Sequence, residues 1–168
     1  ELDQVHYSTM KKEKLIRLEE IPLSWLHGKV LILDIRHSNS CSNSLTNANA
    51  IISALGATSI SSNASIELRC TISHPDFIAP FSNAGLKVLY SVYSFQEFES
   101  INLIFPQIYG YLYKNEDVTG KELTAIKSFG KKVYLFEMRS PKGIKKALRK
   151  YPDGVITDDI RATIIQTK

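Results

Sequence analysis

The sequence predicts an α/β fold built on a parallel β-sheet. From residue 30 onward, short apolar stretches alternate with helical segments of about ten residues. The predicted strands are residues 30–36, 66–72, 86–92, 108–113, 132–138 and 154–158. The predicted helices between them are residues 45–55, 75–84, 95–104, 119–129 and 141–150. This alternation is typical of successive βαβ units, and we predict one domain over residues 1–168 with no internal boundary.

Glycine and proline support the predicted helix boundaries. Gly85 follows the helix at 75–84, and Gly130 follows the helix at 119–129. Glycine commonly takes the left-handed conformation just after a helix. Pro141 stands in the first turn of the last predicted helix, where its missing N–H costs no hydrogen bond.

Two sheet topologies are compatible with this order of elements. Right-handed crossovers place every helix on one side of the sheet unless the strand order reverses. Without a reversal the sheet curls toward a barrel, and with one it becomes a doubly wound sandwich, so the alternation alone leaves both open. A nucleotide-binding open sheet is the weaker function class, because the sequence has no G-x-G-x-x-G or Walker-type loop.

Composition excludes several classes of protein. Of the 168 residues, 43% are hydrophobic and 23% are charged, which excludes a disordered chain or a collagen-like repeat. No apolar run reaches the roughly 20 residues that span a bilayer. The two cysteines have no CxxC spacing, so two ordinary thiols are favoured over one disulfide bridge.

The net charge of +4 is concentrated in one tract. Residues 114–150 hold 11 Lys/Arg and 4 Asp/Glu. Most of these cations surround Ile144, Ala147 and Leu148 at helical spacing, as on the polar face of a surface helix. We therefore interpret the tract as a solvated helix face, and we expect no nucleic-acid partner.

The first predicted strand holds the strongest candidate site. Side chains alternate between the faces of a strand, so Leu31, Leu33 and Ile35 share one face while Asp34 and Arg36 share the other. Ligands of parallel α/β folds bind at the carboxyl ends of the strands, where this pair would stand. One interpretation is a structural ion pair. The other is a carboxylate metal ligand beside a guanidinium that binds phosphate.

The end of the chain resembles a known family. The segment 131–160 contains Lys132-Val-Tyr-Leu-Phe-Glu-Met-Arg139 and, after a helix, Asp153-Gly-Val-Ile-Thr-Asp158. It resembles the closing two βα units of the glycerophosphodiester phosphodiesterases, in which K-V-Y-x-W-T-V-N precedes x-D-G-[IV]-I-T-D. The resemblance implies a (β/α)₈ barrel of the TIM-barrel type.

Gly28-Lys-Val-Leu-Ile-Leu-Asp-Ile-Arg36 also resembles that family's third strand, G-K-x-x-L-x-I-E-I-K. The family's Glu binds a metal and its Lys faces the phosphate, which implies Asp34 as a metal ligand and Arg36 as a phosphate contact. Aspartate is one methylene shorter than glutamate, so the metal geometry is in doubt.

The first ten residues allow two registers. Val5-His6-Tyr7-Ser8-Thr9 resembles the family's V-x-H-D-x-T segment, which implies His6 as a catalytic acid or base. In the other register, Glu1 and Asp3 resemble a metal-binding E-x-D pair. We prefer the first register because it leaves natural spacing to the segment 15–25.

The family's His-Arg-Gly motif is absent from this sequence. We therefore expect an incomplete barrel of about six βα units, the C-terminal three-quarters of the family fold, completed by another segment, by a second copy, or not at all. The implied activity is metal-dependent hydrolysis of a small phosphodiester, a glycerophosphodiester, with Mg²⁺ or Ca²⁺. The alternative is an inactive relative that binds a phosphorylated ligand or a protein.

Four further polar or aromatic features follow predicted strands or lie within them. We expect His74 to cap the next helix, Glu137 to pair with neighbouring cations, and Asp158 and Asp159 to cap the last helix. Tyr109, Tyr111 and Tyr113 are expected to share one face of their strand and to fill the core or the lumen.

Overall fold

The computed structural model of the protein describes residues 18–35, 44–58, 60, 63 and 65–166. The strands are β1 (Val30–Asp34), β2 (Glu67–Ile72), β3 (Lys87–Ser91), β4 (Gly110–Lys114), β5 (Lys132–Phe136) and β6 (Gly154–Val155). The helices are α1 (Leu23–Leu26), α2 (Ser44–Gly56), α3 (Ile78–Asn83), α4 (Phe95–Ile104), α5 (Gly120–Ser128), α6 (Pro141–Leu148) and α7 (Ile160–Gln166). Short 3₁₀ turns cover Leu18–Glu20 and Pro75–Phe77.

The six strands form one parallel sheet in the order β1-β2-β3-β4-β5-β6. The order never reverses, so the sheet curls into part of a TIM barrel, and the doubly wound alternative is wrong. Within the described residues, β1 and β6 each have one strand neighbour. That another segment or a second copy completes the barrel stays a prediction.

The main core lies between the convex face of the sheet and the helices. Tyr111 and Tyr113 are fully buried there, and the Phe98 ring meets Tyr111 edge-on at 4.9 Å between centroids. Leu33 and Ile35 pack against the same cluster, as the alternation in the first strand predicts. The helix caps agree with the sequence, since Gly85 and Gly130 have φ of 77° and 75°.

The concave face of the sheet forms the lumen, which is filled in layers. On this face, Ile32, Leu89 and Tyr134 come from alternate strands, and Thr71 and Leu112 come from the strands between them. Barrel interiors fill in this way, with each layer taken from every second strand. A Cβ at Gly154 would lie 2.6 Å from Tyr134 Cδ1, so this position has no room for a side chain.

A charged and aromatic cluster closes the amino-terminal end of the lumen. Glu67 Oε1 accepts hydrogen bonds from Arg69 Nε at 2.7 Å and Lys87 Nζ at 2.8 Å. These two bonds lower the pKa of Glu67 to about 2. The Arg69 guanidinium also lies 5.1 Å from the Tyr109 ring centroid. The opposite end, at the carboxyl ends of the strands, is the end at which TIM barrels bind their ligands.

Tyr109 corrects one expectation. It packs in the lumen beside Tyr134, whereas Tyr111 and Tyr113 face the helices. The physical reason is that β4 begins only at Gly110, so the strand alternation does not extend to Tyr109. The attraction between its ring and the cationic groups of Arg69 and Lys87, at the amino-terminal end of the lumen, accounts for its position.

The expected apolar stripe and polar face of the helix at 141–150 are confirmed. Ile144 and Ala147 are buried beneath α6, whose lysines face solvent. The Cys70 thiol is free and buried, and burial raises its pKa to about 11. Among the described residues, none of the helices has the length and apolar character needed to cross a bilayer.

Candidate functional site

Asp34 stands at the carboxyl end of β1 and faces the lumen. It is the last residue of the strand, and the neighbouring Thr71 of β2 donates a hydrogen bond from Oγ1 to Asp34 Oδ1 at 2.8 Å. Thr71 is 6% exposed, so its hydroxyl is held in place by the surrounding core. The carboxylate is thereby oriented at the rim, on the face that the alternation in the sequence predicts.

An open pocket of about 500 Å³ lies above Asp34 at this end of the lumen. Its polar lining is Asp34, Thr71, Ser73 and Ser91. Its apolar lining includes Ile32, Leu112, Phe136 and Ile156. Serine hydroxyls both donate and accept hydrogen bonds, so this lumen pocket suits a small polar ligand that has an apolar surface on one side.

Asp34 is the sole charged side chain among the described lining residues of the lumen pocket. Lys114, the last residue of β4, is a cation on the same face, and its register partner is the lining residue Phe136. Lys114 Nζ lies 3.2 Å from Glu137 Oε2, and Arg139 Nη2 lies 3.3 Å from Glu137 Oε1. The expected pairing of Glu137 with neighbouring cations is therefore confirmed.

Glu137 has an unusual backbone conformation. Its φ is 66°, in the left-handed region that non-glycine residues rarely adopt. The residue directly follows β5, and its two ion pairs reach both Lys114 and Arg139. This turn directs the chain away from the lumen and toward α6. Backbone strain of this kind is found most often at functional sites.

Most of the predicted catalytic and metal residues lie outside the described residues. These are His6, Arg36, Glu1 and Asp3. Of the predicted set, the described structure places only Asp34 at the rim. His74 does not line the lumen pocket. Its Nδ1 accepts the Asp76 N–H at 3.4 Å, so it caps the 3₁₀ turn at Pro75–Phe77.

The described residues do not complete a metal site. Among them, no three His, Cys, Asp or Glu side chains are grouped closely enough to hold an ion. Asp34 supplies one carboxylate to the lumen pocket, and Glu137 is engaged by two cations. A hard divalent cation needs several oxygen ligands, so this part of the chain provides at most one protein ligand on its own.

Sequence reasoning missed Ser73, Ser91 and Lys114. Ser91 and Lys114 end their strands on the lumen face, and Ser73 directly follows β2. The alternation of side chains could have found them, because each lies two residues after a lumen-facing residue, near the end of a predicted strand. The faces of the later strands are not apparent from hydrophobicity, since both faces of a buried parallel strand are apolar.

The D-G-V-I-T-D segment has a structural role in this chain. Asp153 Oδ2 accepts the Val133 N–H at 3.0 Å, and Oδ1 accepts from Lys132 Nζ at 3.0 Å. Burial alone would raise the pKa of Asp153, but these bonds and nearby Lys127 hold it below its ordinary value. At the other end, the Asp159 carbonyl accepts the Thr163 N–H and begins α7. Capping of α7 by the side chain of Asp158 or Asp159 stays a prediction.

Comparison with known proteins gives matches in structure but not in sequence. No protein-family model and no curated protein matches the sequence. A glycerophosphodiester phosphodiesterase from Parabacteroides distasonis superposes with a TM-score of 0.76 at 15% identity, over 99% of this chain and 69% of that one.

An Oleispira antarctica phosphodiesterase, solved with its product sn-glycerol-3-phosphate, superposes with a TM-score of 0.68 at 14% identity. That match covers 83% of this chain and 56% of the other, so the chain spans little more than half of that relative. At these identities the likeness establishes the fold alone. The six βα units of this chain therefore have the barrel fold of the glycerophosphodiester phosphodiesterases.

Proposed function

We propose that this chain contributes its six βα units to a barrel that binds glycerophosphodiesters and hydrolyses them to an alcohol and glycerol phosphate. The observation that carries the proposal is the lumen pocket, which places Asp34 and the hydroxyls of Ser73 and Ser91 at the carboxyl ends of β1–β3. This is the end of the barrel where enzymes of this architecture bind their substrates.

The two serines are the groups in this part of the chain that suit phosphate oxygens. Both residues line the lumen pocket and both hydroxyls can donate. Thr71 is committed to Asp34 through its own hydroxyl, so it orients the carboxylate instead. Phe136 and Ile156 offer an apolar wall for the carbon chain of the glycerol arm.

A phosphodiester beside Asp34 requires added positive charge, because two anions at close range repel each other. Arg36 is the proposed source within this chain, since its planar guanidinium binds phosphate through two hydrogen bonds. A divalent metal would neutralise phosphate charge, with Asp34 as one of its ligands. The other ligands must come from outside the described residues, and Glu1 and Asp3 are the candidates from the alternative register.

Proton transfer is assigned to His6 on the family resemblance. A histidine suits this role because its ordinary pKa lies near neutrality. No histidine lines the described part of the lumen pocket. The described residues thus bind and orient the substrate, and His6 would act on its leaving alkoxide.

A second candidate function is ligand binding without catalysis. It is favoured by the same lining, which among the described residues offers hydroxyls and one carboxylate but no histidine. Binding without catalysis is also favoured by two replacements: Asp34 stands where the family has its metal-binding Glu, and Arg36 stands where it has Lys.

Hydrolysis of glycerophosphocholine by the full-length protein separates the two candidates. The assay is run with Mg²⁺ or Ca²⁺ and again with chelator, for the wild type and for Asp34→Asn. Asp158→Asn is the matched control, because Asp158 is an exposed aspartate that does not line the lumen pocket. Turnover that chelator and Asp34→Asn both abolish supports the hydrolase. Saturable binding without turnover supports the second candidate, and the absence of both refutes the proposal.

A further inference from the structure

Four large apolar side chains are exposed at the end of the barrel opposite the lumen pocket. Leu103 and Ile104 end α4, Phe129 directly follows α5, and Tyr151 lies in the connection after α6. We call these four residues the basal patch. Leu103 is 83% exposed and Tyr151 is 80% exposed, so most of their apolar surface meets water. Single exposed apolar residues are common, but a group of them marks an interaction surface.

Contacts between neighbouring βα units bring the members of the basal patch together. The Phe129 ring packs against Phe98 of α4, with 5.6 Å between the ring centroids. Lys127 of α5 donates a hydrogen bond from Nζ to the Tyr151 carbonyl oxygen at 2.6 Å. The α4 helix, the α5 helix and the connection after α6 are therefore neighbours, and the basal patch extends across three successive βα units.

The two edges of the sheet carry opposite charge. At the amino-terminal edge, the connections before β4, β5 and β6 (residues 105–109, 129–131 and 149–153) hold three Lys/Arg and one Asp/Glu. At the carboxyl edge, the connections after the same strands (residues 115–119, 137–140 and 156–159) hold one Lys/Arg and five Asp/Glu. The carboxylate at the amino-terminal edge, Asp153, is paired with Lys127 and Lys132. An excess of positive charge therefore surrounds the basal patch.

The outward face of α6 extends this positive surface toward Tyr151. Its exposed cations are Lys142, Lys145, Lys146 and Arg149. Exposed aliphatic and aromatic side chains beside Lys and Arg are typical of surfaces that lie on anionic lipid. The apolar groups enter the interface between water and hydrocarbon, and the cations meet the negatively charged head groups. A bilayer accepts each apolar side chain separately, which suits side chains that project from three different connections.

We propose that the basal patch docks the barrel onto an anionic phospholipid bilayer. The four apolar side chains enter the head-group region, and the cations of α6 and of the neighbouring connections contact the lipid phosphates. The lumen pocket lies at the opposite end of the sheet and stays open to water, from which a small polar ligand can reach it. Docking of this kind is independent of whether the barrel hydrolyses its ligand.

Cosedimentation of the full-length protein with lipid vesicles tests the docking. The vesicles contain phosphatidylcholine alone, or phosphatidylcholine with about one third phosphatidylserine. We expect about tenfold tighter binding to the anionic vesicles, and loss of this preference at high salt because salt screens the attraction. The Leu103→Ser/Ile104→Ser variant should bind anionic vesicles about tenfold more weakly than the wild type. Arg149→Gln, which removes one cation, should bind about fivefold more weakly.

Matched variants at the carboxyl edge provide the controls. Tyr93 is an exposed aromatic residue in the connection after β3, and Lys121 is an exposed cation in the first turn of α5. Tyr93→Ser and Lys121→Gln should bind the anionic vesicles as the wild type does, whereas Tyr151→Ser should bind them more weakly. All of these substitutions replace exposed side chains, so the melting temperatures should stay close to that of the wild type.

Three results would overturn the inference. The first is no binding to vesicles, or equal affinity for neutral and anionic vesicles. The second is an equal loss of binding in the basal and the control variants. The third is a dimer in analytical ultracentrifugation that Leu103→Ser/Ile104→Ser dissociates, without vesicle binding, because the basal patch would then be covered by a second copy of the chain.

Discussion

Asp153 is expected to hold β6 onto the sheet, and replacing it tests how this short strand is retained. β6 has only two residues, Gly154 and Val155. Immediately before it, Asp153 forms a two-way link with Val133 of β5: its N–H donates to the Val133 carbonyl at 2.8 Å, and its Oδ2 accepts the Val133 N–H. The aspartate side chain is 18% exposed, so water cannot readily replace it.

The Asp153→Ala variant leaves the Val133 N–H without its acceptor. An unsatisfied, largely buried N–H costs about 1–3 kcal/mol. The ion pairs to Lys127 and Lys132 add less, because both lysines are partly in solvent. We expect a loss of about 2 kcal/mol in the free energy of unfolding, or roughly 4–8 °C in melting temperature for a chain of this size.

The assay is urea and thermal unfolding followed by circular dichroism. Asp153→Asn keeps an acceptor for Val133 and removes only the charge, so it should lose less than Asp153→Ala. Glu99→Ala, which removes an exposed carboxylate of α4, is the control, and it should unfold like the wild type.

The pH dependence follows from the direction of the Asp153 pKa shift. The folded protein holds this pKa below the ordinary value of 3.8. The stabilisation is therefore fully present above pH 3.8 and is lost as the pH falls through the lowered pKa. The difference between wild type and Asp153→Asn should shrink over that range. Equal stability of wild type and Asp153→Ala at pH 7 would refute the reasoning.

Three further experiments test the lumen from its amino-terminal end to its rim. Gly154→Ala should destabilise by about 1–3 kcal/mol because its Cβ meets the Tyr134 ring, and adding Tyr134→Leu should recover much of that loss in urea unfolding. Thr71→Val and Asp34→Asn, combined in a double-mutant cycle, should show a coupling of about 1 kcal/mol, whereas additive effects would mean that their hydrogen bond does not form in solution. Glu67→Gln removes a carboxylate whose pKa is lowered to about 2, so the wild type should lose stability between pH 4.5 and 2 more steeply than the variant in acid titrations.

Much of the fold could be predicted from local patterns. The helix at 141–150 was recognisable from its proline start and its apolar stripe, and the structure places α6 at Pro141–Leu148. The predicted strand boundaries that differ from the structure lie where contacts between strands determine the end of the element. The predicted strand at 154–158 pairs over only Gly154 and Val155, and just beyond them the Ile156 N–H donates to the Leu135 carbonyl of β5. β4 begins at Gly110 because its backbone must approach Lys132 closely, and a Cβ there would lie 2.5 Å from the Lys132 carbonyl oxygen.

The candidate site was predictable only where one residue stood out. A carboxylate in an apolar strand is conspicuous, so Asp34 could be identified without coordinates. Ser73 and Ser91 are ordinary residues in sequence, and they matter because they line the lumen pocket.

The order of strands and helices, the parallel sheet and the inward face of the first strand were determined by the sequence itself, because side-chain alternation and helix caps act over a few residues. The closure of the sheet toward a barrel, the layered lumen and the lumen pocket were decided by the tertiary structure. They depend on the register between strands that are far apart in the chain, and that register is set by packing across the whole sheet.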